Sequence, residues 1–232
     1  MKEILCFGDS NTYGLIPGTM ERYPLDVRWT GLLTEELAKE GYHIVEEGLC
    51  GRTTIFEDAT RPYRKGSDLL PALLESHGHL DGVVLMLGTN DCKTYYGASP
   101  EKIGEGIRLL LDQIRAFSKD TKIILISPIL LGERVWEEGF DTEFSKESVG
   151  VSKQLKKVYK DIAKEYGSTF LAASDIANPS ERDQEHLDHK GHRALADAIK
   201  KILLEKFSPS FDCELENKME RYWDTKVCCV AP

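Results

Sequence analysis

The chain has 232 residues, of which 41% are hydrophobic and 30% charged, the composition of a soluble globular protein. A formal net charge of −9 leaves no basic stripe to neutralise phosphates, which excludes nucleic acid and an anionic membrane surface as partners. No apolar run approaches the length of a membrane span.

The six cysteines, Cys6, Cys50, Cys92, Cys213, Cys228 and Cys229, form no C-x-x-C pair. That scatter fits reduced thiols better than a disulfide framework, so the expected compartment is the cytoplasm. No signal peptide is expected either, because the first strand begins at Lys2 with no basic or apolar leader before it.

In chain order, apolar runs of strand length alternate with amphipathic stretches. A first strand over 3–7 carries Ile4-Leu5-Cys6-Phe7 straight into Gly8-Asp9-Ser10. A helix over 28–40 follows, with Trp29, Leu32, Leu33 and Leu37 as its apolar stripe and Gly41 as its stop. After a strand over 43–47, a shorter helix begins at Gly66-Ser67 with Leu69, Leu70, Leu73 and Leu74 inward. A third strand spans 82–87, and Ser99-Pro100 then provides an N-cap and a first-turn proline for a helix carrying Ile103, Ile107, Leu110, Leu111 and Ile114. A strand over 122–127, a helix over 146–166, a strand over 169–172 and a helix from about Asp188 complete the pattern.

Nearly continuous apolar strands are those buried on both faces of a parallel sheet. Five strands alternating with five helices predict a doubly wound α/β sandwich over residues 1–207, with no linker inside it. Residues 208–232 form a C-terminal extension, expected to be docked or disordered. Ser208-Pro209-Ser210 breaks the last helix, and a short helix over 214–223 is compatible with the sequence.

Taken alone, Gly8-Asp9-Ser10 is a turn that contains a serine. Three other strand ends change that reading. The second strand leads into Gly48-Leu49-Cys50-Gly51, the third into Gly88-Thr89-Asn90-Asp91, and the fifth is followed by Asp183-Gln184-Glu185-His186. Acyl transfer by a serine needs a base on the hydroxyl, a group that orients the base, and donors for an oxyanion. Ser10, His186 and Asp183 can fill the first roles, and the N–H groups of Ser10 and Gly51 with the Asn90 amide can fill the last.

These four blocks resemble those of the SGNH (GDSL-type) hydrolases, which centre on Ser, Gly, Asn and His. The resemblance covers about residues 2–205 and is closest to the arylesterase/acyltransferase subgroup. Arg28-Trp29-Thr30-Gly31, Glu46-Glu47-Gly48-Leu49 and Gly51-Arg52-Thr53-Thr54 carry that closer similarity. It implies a three-layer α/β/α sandwich on a five-stranded parallel sheet, flavodoxin-like in order. It also implies Ser10 as nucleophile, His186 as base and then acid, Asp183 as its orienter, and an oxyanion hole of Ser10, Gly51 and Asn90. No cofactor or metal is implied. The substrate is a small-molecule ester, and a homo-oligomer is a further expectation. Two positions depart from the pattern. Asn11 stands where the usual first block has leucine, and Leu15 where some acyltransferase relatives carry a bulky aromatic, which favours hydrolysis over acyl transfer.

Other readings stand beside this one. Asp9 reads as a hydrogen-bonding brace, and His189 and His192 as helix-start residues, although His186, His189 and His192 also have a metal-like spacing. Cys50 and Cys92 read as pocket wall, with a redox role as the alternative. Tyr13, Trp29, Tyr95, Tyr96, Trp136 and Phe140 are candidate pocket aromatics, and the stretch 130–144 reads as a lid or interface. A carbohydrate deacetylase and a non-catalytic binding module on a flavodoxin-like fold are the rival functions.

Overall fold

The structure, a computed structural model, describes residues 1–207. The expected C-terminal extension, with its short helix and Cys213, Cys228 and Cys229, lies outside the described residues. Met1–Ala198 form one compact unit, and Ile199 opens a second, of which the described part continues the last helix.

Five parallel strands form one sheet: β1 (Lys2–Gly8), β2 (Tyr42–Gly48), β3 (Gly82–Met86), β4 (Lys122–Ser127) and β5 (Thr169–Ala172). Their spatial order is β2-β1-β3-β4-β5. Cys6 lies opposite Glu46 on one side and Val84 on the other, and Val84 in turn lies opposite Ile124. The order reverses beside β1, so the carboxyl ends of β1 and β3 meet at the switch point where open α/β sheets build sites.

The alternation of side chains along each strand feeds two cores. Leu5, Phe7, Val83, Leu85, Ile123 and Leu125 face one side and are buried with Leu70, Leu74, Ile107, Leu111, Leu155 and Tyr159. Those partners come from α3 (Gly66–His77), α4 (Pro100–Phe117) and α5 (Lys146–Glu165). Ile4, Cys6, Val84, Ile124 and Ile126 are buried on the opposite face. There α2 (Trp29–Leu37) lies against β2, and the first turns of α6 (His189–Phe207) reach α2 where His192 Nδ1 accepts the Trp29 N–H at 3.3 Å. The fold is the expected three-layer α/β/α sandwich.

Local signals set most helix ends. Ser99 Oγ accepts the Lys102 N–H at 3.2 Å with Pro100 at the first helical position, and Ser145 and Ser148 form a reciprocal capping box on α5. Two expectations need adjustment. The helix expected to run to Glu40 is α-helical only to Leu37, then tightens into a 3-10 turn over Ala38–Glu40. Leu69 and Leu73 are only part-buried on α3, because Leu70 and Leu74 take the inward face.

Candidate active site

The first strand ends by folding sharply into a four-residue helix, α1 (Ser10–Tyr13), too short to give a periodic signal in the sequence. Asp9 caps it, its Oδ1 accepting the Asn11 N–H at 3.0 Å. This is the bracing role expected of Asp9. Its second oxygen is buried without a partner, and burial raises its carboxyl to about 7, against the lowering effect of the Asn11 N–H. Gly48 lets α1 sit close to β2, since a Cβ there would come 2.1 Å from the Tyr13 nitrogen. Of the two glycines in the second block, Gly51 is the one that turns the chain, with φ +82°.

Ser10 is 3% exposed, and its hydroxyl lies 2.8 Å from His186 Nε2. On the other side of the ring, His186 Nδ1 lies 2.8 Å from Asp183 Oδ2. Asp183 Oδ1 accepts the backbone N–H groups of Glu185 at 3.1 Å and His186 at 3.0 Å, and Oδ2 also accepts the Gly18 N–H at 2.9 Å. The carboxylate is thus saturated with donors. Burial would raise it, but the His186 ring and these N–H groups outweigh burial and hold it below the ordinary range. For His186, burial alone would lower the imidazole. Glu185 and Asp183 reverse that effect and bring it up to about 9.

The loop that carries Asp183 and His186 is held in an unusual conformation. Gln184 has φ +63°, a left-handed geometry uncommon for a residue with a side chain. Its N–H donates to Ser180 O at 2.8 Å, and its carbonyl accepts the Gly132 N–H at 2.7 Å. The loop after β4 therefore supports the loop after β5, which brings His186 to Ser10.

Asn90 opens a 3-10 turn after β3, and its Nδ2 donates to Arg52 O at 3.2 Å, fastening the third block to the second. The Gly51 N–H has no acceptor among the described residues. Asp91 Oδ1 accepts the Thr54 N–H at 2.9 Å and also bonds the Thr54 hydroxyl. Arg52 Nη1 donates to Gly8 O at 2.9 Å and to Glu47 O, with its guanidinium over the Phe7 ring. Arg28 grips Glu46 through two bonds of 2.9 and 2.7 Å. The residues that suggested the subgroup are thus braces that lock β1, β2 and β3 ends together.

Sequence reasoning missed Glu185, and it singled out Asn11 and Trp29 without the contacts that they make. Asn11 Oδ1 accepts the Leu187 N–H at 2.8 Å and its Nδ2 donates to Glu185 O at 3.4 Å. Trp29, expected among the pocket aromatics, is instead wholly buried, and its indole N–H donates to Asn11 O at 3.0 Å. A polar residue in place of the family's leucine was the available signal for Asn11. Of the other aromatics, Phe140 lines an open groove of about 440 Å³ with Leu15, Thr19, Asp141, Arg182 and His186. Residues 139–142 of the expected lid stretch form one wall of that groove. Tyr95 and Trp136 are exposed at 54% and 40%.

His192 is buried against Trp29 and Tyr23. Cys6, Cys50 and Cys92 are free thiols, and burial raises all three, Cys50 to about 11, so none is poised as a thiolate. Among the described residues no three His, Cys, Asp or Glu side chains converge as metal ligands. Among them too, no helix is long and apolar enough to cross a membrane.

The model of the GDSL-like lipase/acylhydrolase family matches residues 6–194. The chain belongs to that family. It is a carboxylic ester hydrolase, and the reading as a non-catalytic module falls away. Among solved structures, the aryl esterase of M. smegmatis is 31% identical, with a TM-score of 0.80, over 88% of this chain and 99% of that one. A carbohydrate acetylesterase from Sinorhizobium meliloti is 34% identical with the same TM-score, over 88% and 99% of the two chains. Comparison with curated proteins gives no match.

Proposed function

We propose that this family member hydrolyses small carboxylic esters with short acyl or aryl groups, through an acyl-enzyme on Ser10. The observation that carries the reading is the unbroken chain of hydrogen bonds from Ser10 Oγ through His186 to Asp183. Ser10 Oγ attacks the ester carbonyl as its proton passes to His186 Nε2. Asp183 holds the ring by Nδ1 and stabilises the imidazolium that forms. The oxyanion develops against the N–H groups of Ser10 and Gly51 and the amide of Asn90. His186 returns the proton to the departing alcohol oxygen as the C–O bond breaks. Water, deprotonated by His186, then attacks the acyl carbon, and the released carboxylic acid leaves Ser10 with its proton restored.

The partner in this reading is a small ester, in keeping with a net charge of −9 that offers nothing to phosphates. The free thiols fit a reducing compartment such as the cytoplasm. A second reading, removal of acetyl groups from carbohydrates, is favoured by the similarity to the Sinorhizobium acetylesterase and by Thr19, Asp141, Thr142 and Arg182 in the lining of the groove. A panel of aryl esters, alkyl esters of rising acyl length and acetylated sugars, run on wild type and Ser10→Ala, tests both. Turnover of short esters by wild type and its loss in Ser10→Ala is the expected result, and the ranking of sugars against aryl esters separates the two readings. Undiminished turnover in Ser10→Ala contradicts the mechanism.

A further inference from the structure

Glu185 lies inside the loop whose ends are Asp183 and His186, yet the mechanism gives it no task. Both of its backbone groups are used to hold the loop, the N–H on Asp183 Oδ1 and the carbonyl on Asn11 Nδ2. Its side chain is 8% exposed, and Oε1 lies 3.8 Å from His186 Nε2, the ring nitrogen that meets the Ser10 hydroxyl. Among the described residues no hydrogen-bond donor reaches either carboxylate oxygen. When His186 is in the form that takes the Ser10 proton, Nε2 carries no hydrogen to offer it. Lys93 is committed to Glu143 at 2.5 Å. Asp183, two residues earlier on the same loop, is saturated with donors, so the want of them at Glu185 is not common to the loop.

A carboxylate removed from bulk water without donors is costly, and an apolar group brought beside it makes the cost worse. Burial accordingly pushes the Glu185 carboxyl upward. The position of the missing donor follows from the chemistry. Nε2 must pass its proton to the departing alcohol oxygen, so that oxygen comes within hydrogen-bond range of Nε2. Oε1, 3.8 Å from Nε2, is within the reach of a group a bond or two further along that alcohol.

We infer that Glu185 is a specificity residue that selects esters whose alcohol half carries a free hydroxyl on the carbon next to the esterified one, as in partly acylated sugars and polyols. The inference rests on the esterase reading of the same site and narrows it. The hydroxyl donates to Glu185 while its neighbour leaves with the His186 proton. A purely aliphatic alcohol strips the carboxylate of water and returns nothing, and an anionic alcohol half is repelled.

The test uses a pair of esters that differ in that hydroxyl alone, ethylene glycol monoacetate and ethyl acetate, with acetate release followed by pH-stat. Each kcat/KM is normalised to the ester's own rate with hydroxide, so intrinsic reactivity drops out. Wild type is expected to prefer the glycol ester by about tenfold or more, the scale of one hydrogen bond to a charged group. Glu185→Leu should bring the ratio near one, and the isosteric Glu185→Gln, which keeps an acceptor oxygen, should retain part of the preference. A wild-type ratio near one, or a preference that survives in Glu185→Leu, overturns the assignment. Fluorophosphonate labelling separates the two kinds of failure. An enzyme labelled at Ser10 but without the preference refutes the role of Glu185 alone, whereas one neither labelled nor active refutes the esterase reading and this inference with it.

Discussion

Asn11 Oδ1 accepts the Leu187 N–H at 2.8 Å, which ties the residue after Ser10 to the residue after His186. The bond spans 176 positions of sequence and runs parallel to the one between Ser10 and His186 themselves. In the proposed mechanism Asn11 is a positioning residue, because its bond to Leu187 fixes the loop of His186 against the turn that carries Ser10. The Trp29 indole in turn holds the Asn11 carbonyl, so α2 sets the height of the whole assembly.

Replacing Asn11 by leucine, the residue usual in the family, should leave the Leu187 N–H buried and unpaired. That costs about 1–3 kcal/mol of stability. The same change should lower kcat by about tenfold with KM little altered, because alignment and not binding is lost. Thermal denaturation together with steady-state kinetics on a short aryl ester checks both halves.

The pH dependence of turnover has a stated direction. His186 acts as a base only when neutral, and its imidazole is raised from 6.5 to about 9 by the carboxylates of Glu185 and Asp183, which outweigh burial. The acid limb of kcat/KM should therefore centre well above 6.5. Glu185→Gln removes one of those negative charges and should shift the limb to lower pH. A limb that stays put in the variant contradicts the electrostatic origin of the shift.

Acid stability should depend on His192. Its ring is wholly buried, and burial lowers it from 6.5 to about 4, so the folded state prefers the neutral form. As pH falls below 6.5 the unfolded chain takes up a proton that the folded chain refuses until pH 4. The stability this group supplies is thus complete above 6.5 and is lost toward 4, a change of about 3 kcal/mol. Urea unfolding of wild type and His192→Leu at the two ends of that window should show a steeper loss in wild type.

Asn90→Ala should reduce kcat by about a hundredfold to a thousandfold, the usual cost of one oxyanion donor. Because Asn90 also holds Arg52 O, a melting curve must accompany the kinetics. A large fall in kcat with a small change in melting temperature assigns the amide to the transition state.

The sheet was legible because its strands are buried on both faces. Ile4 to Phe7 and Ile123 to Ile126 are apolar without interruption, a pattern that helices at their longer length do not share. Ser10, Asn90 and His186 could be picked out as candidates because each follows a strand end and is a residue type with a known chemical use. What escaped were contacts made between blocks. Nothing local in Asn11 points to Leu187, nothing in Glu185 points to His186 Nε2 rather than to solvent, and the inward turn of Trp29 depends on an acceptor that α1 creates. Helix faces carried a similar ambiguity, since Leu69 and Leu70 are equally apolar and only the packing of α3 against α4 decides between them.

The central claim is that Ser10 is the nucleophile, and covalent labelling addresses it most directly. Wild-type protein treated with a fluorophosphonate and mapped by peptide mass spectrometry should carry a single phosphonyl group, on the peptide that holds Ser10. Ser10→Ala and His186→Ala should carry almost none. An adduct on any other residue, or equal labelling of Ser10→Ala, contradicts the account.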